Sequence, residues 1–433
     1  MNNSKPQWSS HISFIIATVG SAVGLGNIWR FPYIMGKNGG AIFLLTYLLL
    51  IAFICIVPLI CELAIGKIYK TDTMSAINEI NPKFKWLGWL CIFTVILIPC
   101  FYFVVGGWIL NYIWLFCTNN IPQDFTNYFS SYSAQVFMPC FLTLLFLIIT
   151  ASFPYKGVNK GIEKANNIMM PLFAVMFVFM AIYALTLSGA KEGLEFMFKP
   201  DFSQFNTSMV LTALGQALFT LSIGMGAIIT YGSYMKEESN IVKSAYTLIF
   251  FDTLIAVIAG IMIFPIVFSF GVTPSAGASL VFIALPEIFA KLPCPELIGL
   301  IFFILLFFAA VTSGISILET AISAFINYFN ISRQKATVLL SIIVAVISIP
   351  ATLSFGVLSG FKIADKTIFD ALDYVTSNIL LPFNTLLICI LAGWFVKSLW
   401  QKLFGNTFWG IVFNIILKFV VPIILICVLI AGL

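Results

Sequence analysis

Apolar stretches long enough to cross a membrane recur along the whole chain. They are expected near residues 12–37, 40–68, 86–116, 134–152, 161–188, 206–234, 240–270, 294–328, 333–353, 365–396 and 407–432, called spans 1 to 11. Each has the length that a helix needs to cross a hydrocarbon core, about 20 residues or more. With 61% apolar and 9% charged residues, the chain leaves no soluble domain between them. The pattern predicts an all-α membrane protein with eleven transmembrane helices.

The basic residues divide unequally between the two sets of loops that alternate along eleven spans. One set carries 14 of the 22 lysines and arginines and the other carries six, while Arg30 and Lys418 lie inside predicted spans. Because basic loops stay on the cytoplasmic side, we expect a cytoplasmic amino terminus and an extracytoplasmic carboxyl terminus. The net charge of +5 reflects this bias. We therefore expect a lipid bilayer as partner and no nucleic acid.

The chain has few groups for catalysis or for binding transition metals. His11 is the only histidine, and the nine cysteines show no C-x-x-C or other metal-ligand spacing. This removes most metal sites and any Ser-His or Cys-His pair. We expect no catalytic residue and no enzyme activity.

Span 1 contains a segment that is poorly suited to a lipid-facing helix. Residues 20–27 include three glycines and end in Asn27. Each glycine weakens a helix by about 1 kcal/mol relative to alanine, and backbone groups released by a break cannot stay unpaired in hydrocarbon. An unwound backbone at that depth is tolerated only where it is buried in protein or lines a cavity. The segment predicts a binding site made of main-chain atoms.

Span 6 has a second interruption, at residues 219–226, where small and hydroxyl side chains replace bulky ones. Spans 1 and 6 each open a group of five, residues 12–188 and 206–396, with an extra helix at 407–432. An odd number of spans gives the two groups opposite membrane orientations. Paired interrupted helices at corresponding positions indicate a midplane site in an inverted-repeat transporter. We expect residues 1–433 to form one transmembrane transporter domain with an inverted five-helix repeat and unwound helices 1 and 6.

These motifs resemble those of the neurotransmitter:sodium symporter family, in its bacterial amino-acid branch. The resemblance is carried by residues 27–32 (Asn-Ile-Trp-Arg-Phe-Pro), by residues 216–234, by the Thr-Ser pair at 312–313 and by Asp-Ala-Leu-Asp at 370–373. It covers nearly the whole chain, and eleven spans are similar to a subgroup that lacks the usual twelfth helix. It implies sodium-coupled import of an amino acid through the cell (inner) membrane by alternating access.

The resemblance implies two Na⁺ sites built from oxygen atoms, which an unwound helix supplies as carbonyls. The first site is implied at Ala22, Asn27, Thr220 and Asp252, with the substrate carboxylate completing it. The second is implied at Gly20, Val23, Ala309, Thr312 and Ser313. For the two hydroxyl side chains of span 8, the alternative is a helix–helix hydrogen bond, which is common in membranes.

The resemblance also implies which residues contact the substrate: Ala22, Leu25, Gly26, Ile98, Tyr102, Phe219, Thr220, Ser222, Met225, Ser313 and Ile317. The N–H groups of Leu25 and Gly26 and the hydroxyl of Tyr102 suit a carboxylate, while carbonyls at both breaks and the Ser222 hydroxyl suit an ammonium group. Methionine is flexible and polarisable, so Met225 can yield to a large ring. We expect a large hydrophobic or aromatic L-amino acid, with tyrosine favoured. The alternative is that Met225 is filler and the pocket prefers leucine-type side chains.

Asp252 is an acidic residue in the middle of span 7. A carboxylate near the middle of a membrane helix costs about 2.5–3.5 kcal/mol on insertion scales, so it should face a partner. Many members of the family have asparagine at this position, chloride-dependent ones bind an anion close by, and other chloride-independent ones have glutamate at the position of Ala256. We expect an ionised Asp252 to make chloride unnecessary. The alternative is a protonated, neutral Asp252.

By the same resemblance, the outer gate comprises Arg30 and Asp373, with Phe219 as a lid beneath them. Asp370 lies three residues before Asp373 and could guide cations inward. An arginine in a membrane helix needs a partner whatever its function. A permanent structural pair between Arg30 and Asp373 is therefore the alternative.

On the inner side the implied gate residues are Lys5, Trp8 and Tyr234. Many members have an arginine and an aspartate where this chain has Lys5 and Asn327, so we do not expect the usual inner ion pair.

Three further features belong to the inner half of the bundle. Glu62 is expected to brace span 6 by hydrogen bonds, whereas Glu319 is assigned only a polar partner inside the bundle. Gly161 and Pro171 resemble a family motif, Gly-x9-Pro, which implies that the inner half of span 5 can unwind and admit water to the second Na⁺ site. A plain kinked helix is the alternative.

A receptor that senses an amino acid on the same scaffold remains the alternative to a transporter. An ion channel would need rings of like residues and a continuous polar stripe, whereas the polar residues here come from spans 1, 3, 6, 7, 8 and 10. The sequence indicates no oligomeric state.

Overall fold

In the computed structural model, every regular secondary-structure element of the described residues is a helix. These residues are 7–271, 280–396 and 399–432, so the predicted gate residue Lys5 lies outside them. Among them, unbroken helices long and apolar enough to cross a membrane are Ala41–Tyr69, Pro82–Cys117, Phe137–Tyr155, Val158–Leu185, Ile241–Ser269, Pro295–Phe329, Arg333–Leu353, Ile368–Trp394 and Phe408–Ile430. They correspond to spans 2 to 5 and 7 to 11.

The two remaining spans are interrupted as the sequence predicts. Span 1 consists of His11–Ala22 and Gly26–Lys37, which meet at an angle of 48°. Span 6 consists of Thr207–Thr220 and Ala227–Ser233. With span 1 counted as one, ten spans are long and apolar enough to cross a membrane in the described residues, and the shorter halves of span 6 make the structure roughly consistent with the predicted eleven. The largest error in a predicted boundary is at span 3, which begins at Pro82 because a short 3₁₀ turn precedes its α-helix.

Five short helices lie in the connections between spans and were not predicted. Their bounds are Thr73–Ile80, Phe125–Ser133, Ala190–Phe198, Leu280–Phe289 and Leu399–Phe404. Two of them begin at a capping aspartate, Asp72 and Asp124, whose carboxylates accept main-chain N–H groups of the first turn. Such caps stabilise a helix start by about 1 kcal/mol.

The break in span 1 is enclosed by protein. The first helix ends at Ala22 because Val23 adopts an extended conformation, with ψ 92°. The residues at the break are buried, including Val23, Leu25 and Asn27. The unpaired backbone groups therefore lie inside the bundle and away from lipid, as the hydrocarbon environment requires.

The break in span 6 depends on left-handed backbone. Ser222, Gly224 and Gly226 all have positive φ, at 56°, 85° and 81°. The N–H of Gly224 donates to Oε1 of Glu62 at 2.7 Å, and the carbonyl of Gly226 accepts the hydroxyl of Thr73 at 2.7 Å. The first contact confirms that Glu62 braces span 6. Both partners come from outside span 6, so the break is held by its neighbours.

Candidate ion and substrate site

The two breaks line a single central cavity together with spans 3 and 8. All eleven residues predicted to contact the substrate lie on its wall, joined by Ser21 and Gly24: Ser21, Ala22, Gly24, Leu25, Gly26, Ile98, Tyr102, Phe219, Thr220, Ser222, Met225, Ser313 and Ile317. Residues nearly 300 positions apart in sequence therefore surround one space.

The wall of this cavity combines main-chain polar groups with apolar side chains. At the span 1 break, the N–H of Leu25 donates to the hydroxyl of Tyr102 at 3.5 Å, and the hydroxyl of Ser222 donates to the carbonyl of Ser21 at 3.3 Å. Met225 and Ile317 contribute apolar surface. A molecule with charged groups at one end and an apolar side chain at the other matches such a wall.

Asp252 lies in a buried hydrogen-bonded cluster beside the break of span 1. The amide of Asn27 donates to Oδ1 of Asp252 at 2.8 Å, and the hydroxyl of Tyr47 lies 3.3 Å from Oδ2. The same tyrosine hydroxyl is 3.2 Å from Oγ1 of Thr220. The structure thus brings together the three side chains predicted for the first Na⁺ site. Asp252 also has the partners that a buried carboxylate requires.

A second group of oxygen atoms joins span 8 to the first half of span 1. The hydroxyl of Ser313 lies 3.3 Å from the carbonyl oxygen of Gly20 and 3.4 Å from that of Val23. Thr312 directs its hydroxyl to the carbonyl of Ala309 at 3.2 Å. The five residues predicted for the second Na⁺ site therefore form two hydrogen-bonded sets. Ser313 contacts the carbonyls of Gly20 and Val23, and Thr312 contacts the carbonyl of Ala309. Ser313 also donates to the carbonyl of Ser21 at 3.1 Å, which is the alternative helix–helix bond.

The donor set of both groups suits a hard cation. The polar side-chain and main-chain atoms described above include carbonyl, hydroxyl, amide and carboxylate oxygens. In the part of the chain that the structure describes, no group of three or more histidine, cysteine or acidic side chains could hold a metal ion. Oxygen ligands of these kinds suit hard cations, and unwound backbone carbonyls are the ligands that bind Na⁺ in transporters with broken helices.

At the predicted outer gate, Arg30 and Asp373 do not form an ion pair in the described part of the chain. The guanidinium carbon of Arg30 lies 4.8 Å from the ring centre of Phe219, and its Nε and Nη1 have no hydrogen-bond partner among those residues. Asp373 accepts the hydroxyl of Ser377 at 2.8 Å, and Asp370 accepts that of Thr367 at 2.6 Å. The alternative of a permanent pair between Arg30 and Asp373 is therefore not realised in this conformation.

On the opposite side, a buried ionic network joins spans 6, 8 and 9. The hydroxyl of Tyr234 donates to Glu319 at 2.7 Å, and Arg333 donates to both oxygens of the same carboxylate at 2.5 and 3.0 Å. Trp8 is buried beside it, and its indole N–H donates to the carbonyl of Tyr231 at 3.2 Å. This identifies the partners of Glu319, which the sequence left without a specific role.

A second buried carboxylate on this side comes from the connection between spans 2 and 3. Oδ2 of Asp72 accepts the amide of Asn327 at 2.6 Å, while Oδ1 accepts the N–H groups of Met74 and Ser75. Asp72 is 2% exposed. Asn327, at the end of span 8, is thereby hydrogen-bonded to an acidic group from a different segment.

Span 5 begins with an irregular turn. Residues Val158–Glu163 form a π-type turn that contains Gly161, and a continuous α-helix, Lys164–Leu185, follows and includes Pro171. The irregular geometry coincides with the start of the predicted motif. Its unwinding stays a prediction.

Two contributors to the site were missed by the sequence reasoning. Tyr47 contacts both Asp252 and Thr220, and Gln216 donates its amide to the carbonyl of Gly26 at 2.8 Å. Tyr47 lies in the mainly apolar first half of span 2, where a tyrosine is usually interpreted as a packing residue. Its hydroxyl could have been noticed because a buried Tyr O–H usually has a partner.

Broken helices that meet around a cavity lined by main-chain polar groups define a secondary transporter. Comparison with known families agrees, since the profile of the sodium:neurotransmitter symporter family matches residues 5–135 and 134–433. The chain belongs to this family. It is a sodium-dependent symporter and a multi-pass membrane protein, and it is not an enzyme.

Relatives and a solved structure support this assignment. The sodium-dependent transporter YhdH of Bacillus subtilis is 35% identical over 397 residues, covering 90% of this chain and 88% of its own. A sodium-dependent transporter of Haemophilus influenzae is 35% identical over 455 residues, covering 100% and 99%. The crystal structure of MhsT in complex with L-phenylalanine is similar at a TM-score of 0.93 and 41% identity, covering 99% of this chain and 100% of that chain.

The Asp72–Asn327 contact predicts the effect of restoring an acidic residue at position 327. In Asn327→Asp, two carboxylates would meet where a hydrogen bond of 2.6 Å now exists. We expect a loss of roughly 1.5–3 kcal/mol in stability, which is the range for a hydrogen bond to a charged group. The measurement is the apparent thermal unfolding of the purified protein in detergent.

Two further variants make that experiment specific. The swap Asp72→Asn with Asn327→Asp restores a donor opposite an acceptor, and asparagine still caps the helix, so stability should largely return. Asn406→Asp, at an exposed position outside the helices, is the matched control. Equal stability of Asn327→Asp and Asn406→Asp would show that the partly buried contact has no energetic weight.

Proposed function

We propose that this protein imports a large hydrophobic or aromatic L-amino acid, with tyrosine as favoured substrate, coupled to two Na⁺ ions and without a need for chloride. The observation that carries the proposal is the central cavity, where polar main-chain groups of two broken helices face apolar side chains. The L-phenylalanine bound in the related MhsT structure supports an aromatic amino acid. The leucine-type preference remains as the alternative substrate class.

The two oxygen clusters are proposed as the Na⁺ sites. In the first, Asn27, Thr220, Asp252 and the carbonyl of Ala22 bind one ion beside the substrate carboxylate. In the second, the carbonyls of Gly20, Val23 and Ala309 and the hydroxyls of Thr312 and Ser313 bind the other. Sodium supplies positive charge next to the substrate, which couples the binding of ion and amino acid.

The substrate is proposed to lie with its charged end at the span 1 break. The N–H groups of Leu25 and Gly26 and the Tyr102 hydroxyl bind its carboxylate. Carbonyls of Ala22, Phe219 and Thr220 and the Ser222 hydroxyl bind its ammonium group. Ile98, Met225, Ser313 and Ile317 then surround the side chain, and Met225 can adapt its rotamer to a ring.

Alternating access is proposed to move two gates around this fixed site. Arg30, Phe219 and Asp373, with Asp370 one turn away, would close the outer side after binding, and Trp8, Tyr234 and the unplaced Lys5 would open the inner side. Residues 12–188 and 206–396 are proposed as the inverted repeats. With a cytoplasmic amino terminus in the cell (inner) membrane, inward movement of net positive charge gains about 2.3 kcal/mol per charge per 100 mV.

Concentrative uptake tests this function against an amino-acid receptor on the same scaffold. The purified protein is reconstituted in vesicles, an inward Na⁺ gradient is imposed, and radiolabelled tyrosine is followed with and without chloride. We expect transient accumulation above the external concentration, abolished when the gradient is dissipated. Binding without accumulation would instead indicate a receptor. Competition by leucine, phenylalanine and tryptophan ranks the substrates.

Removing the Tyr102 hydroxyl is predicted to weaken substrate binding. Tyr102→Phe leaves the ring in place but deletes one donor to the carboxylate, a loss typical of about 10-fold or more. The measurement is the half-saturating tyrosine concentration for uptake at saturating Na⁺. Tyr246→Phe, on the exposed side of span 7, is the control. An unchanged value for Tyr102→Phe would refute its role at the carboxylate.

Replacing the fixed charge of Asp252 is predicted to change the ion requirement. Asp252→Asn keeps the shape and the contact with Tyr47 but removes the carboxylate beside the first Na⁺, so uptake should require chloride or be lost. The measurement compares uptake in chloride and gluconate buffers. Asp201→Asn, in an exposed connection, is the matched control. A chloride requirement in the unmodified protein would contradict the proposed role.

A further inference from the structure

A hollow of about 320 Å³ lies at one membrane face, where span 4 ends and span 5 begins. Three lysines line it: Lys156, directly after span 4, and Lys160 and Lys164, in the first turns of span 5. Phe153, Ile168 and Met169 complete its apolar wall. It is separate from the central cavity, since the two share no residue.

No acidic side chain in the described part of the chain forms an ion pair with the three ammonium groups. Their side chains are exposed, and none has a hydrogen bond or ion pair within residues 7–271, 280–396 and 399–432. Glu163 is the acidic residue nearest in sequence, but its carboxylate accepts hydrogen bonds from Ser9 and Asn159. Like charges four residues apart on a helix repel each other. An anion in the hollow would remove that repulsion.

A lipid-facing apolar stripe begins where the lysines end. Ile168, Leu172, Val175, Phe179 and Ile182 are exposed and follow one another at steps of three or four residues along span 5. Side chains at this spacing share one face of a helix. The face therefore presents a cluster of positive charge followed by a continuous apolar surface.

We propose that this lysine hollow binds the head group of an anionic phospholipid, with the acyl chains along the stripe of span 5. Basic pockets between transmembrane helices recognise anionic head groups in this way. The phosphodiester oxygens accept hydrogen bonds from the three ammonium groups, and the chains cover Ile168 and Leu172. A zwitterionic lipid carries its own positive charge and satisfies the lysines less well.

Binding at this place joins two helices across a glycine turn. Lys156 lies before Gly157, which has φ 95°, and Lys160 and Lys164 lie after it. A phosphodiester that contacts both sides clamps the span 4–span 5 connection. The site uses none of the residues proposed for substrate or Na⁺, so it does not depend on which amino acid is carried.

Native mass spectrometry of the full chain in a neutral detergent tests the proposal. The protein is mixed with equal amounts of dioleoyl phosphatidylglycerol and dioleoyl phosphatidylcholine, and the retained lipids are counted. We expect preferential retention of phosphatidylglycerol. The triple variant K156Q/K160Q/K164Q should bind it about 100-fold more weakly, and each single variant about five-fold more weakly.

A matched variant and a water-soluble probe complete the design. K83Q/K243Q/K335Q removes three exposed lysines from the same membrane face and should retain the lipid as the unmodified protein does. Equal retention by the lysine-hollow variant, or an equal loss in the matched variant, would overturn the proposal. So would competition by glycerol phosphate at the concentration of the lipid, because it would indicate a site for free phosphate esters.

Discussion

Hydrocarbon offers no hydrogen-bond partner, so every backbone group exposed by the two helix breaks has to be satisfied inside the bundle. Neighbouring spans and loops meet this requirement. Glu62 accepts the N–H of Gly224, Thr73 donates to the carbonyl of Gly226, and Gln216 donates to the carbonyl of Gly26. At the cavity wall, the carbonyl of Ser21 accepts the hydroxyl of Ser222. The structural need to enclose the breaks and the chemical need for a polar site are therefore met by one arrangement.

Because one arrangement meets both needs, a single residue can have both a structural and a functional interpretation. Ser313 makes a helix–helix hydrogen bond to Ser21 and at the same time lies next to the carbonyls of Gly20 and Val23. An oxygen that pairs two helices is also an oxygen that can bind a cation. Only the convergence of several such atoms from separate spans distinguishes a site from ordinary packing, and that convergence is a property of the fold.

Sequence reasoning predicted the spans and both breaks because length, hydropathy and glycine placement are local properties. The cavity-lining residues followed from family motifs, which encode contacts between distant segments. Residues without a motif were missed. From the sequence alone, Tyr47 is interpreted as a packing residue and Asp72 as a helix cap. The structure shows that Tyr47 contacts Asp252 and that the amide of Asn327 lies 2.6 Å from Oδ2 of Asp72. The separation of Arg30 from Asp373 depends on the conformation, which the sequence does not specify.

Asp72 has a consequence for the stability of the connection between spans 2 and 3. Its carboxylate starts the eight-residue helix Thr73–Ile80 and also binds Asn327 of span 8. A helix of that length is marginal by itself in water and depends on its cap and its packing. Displacing span 8 would change the environment of the cap, so the helix–coil balance of this connection is thermodynamically linked to the position of span 8. The stability of this short helix is therefore tied to the packing of span 8 against it.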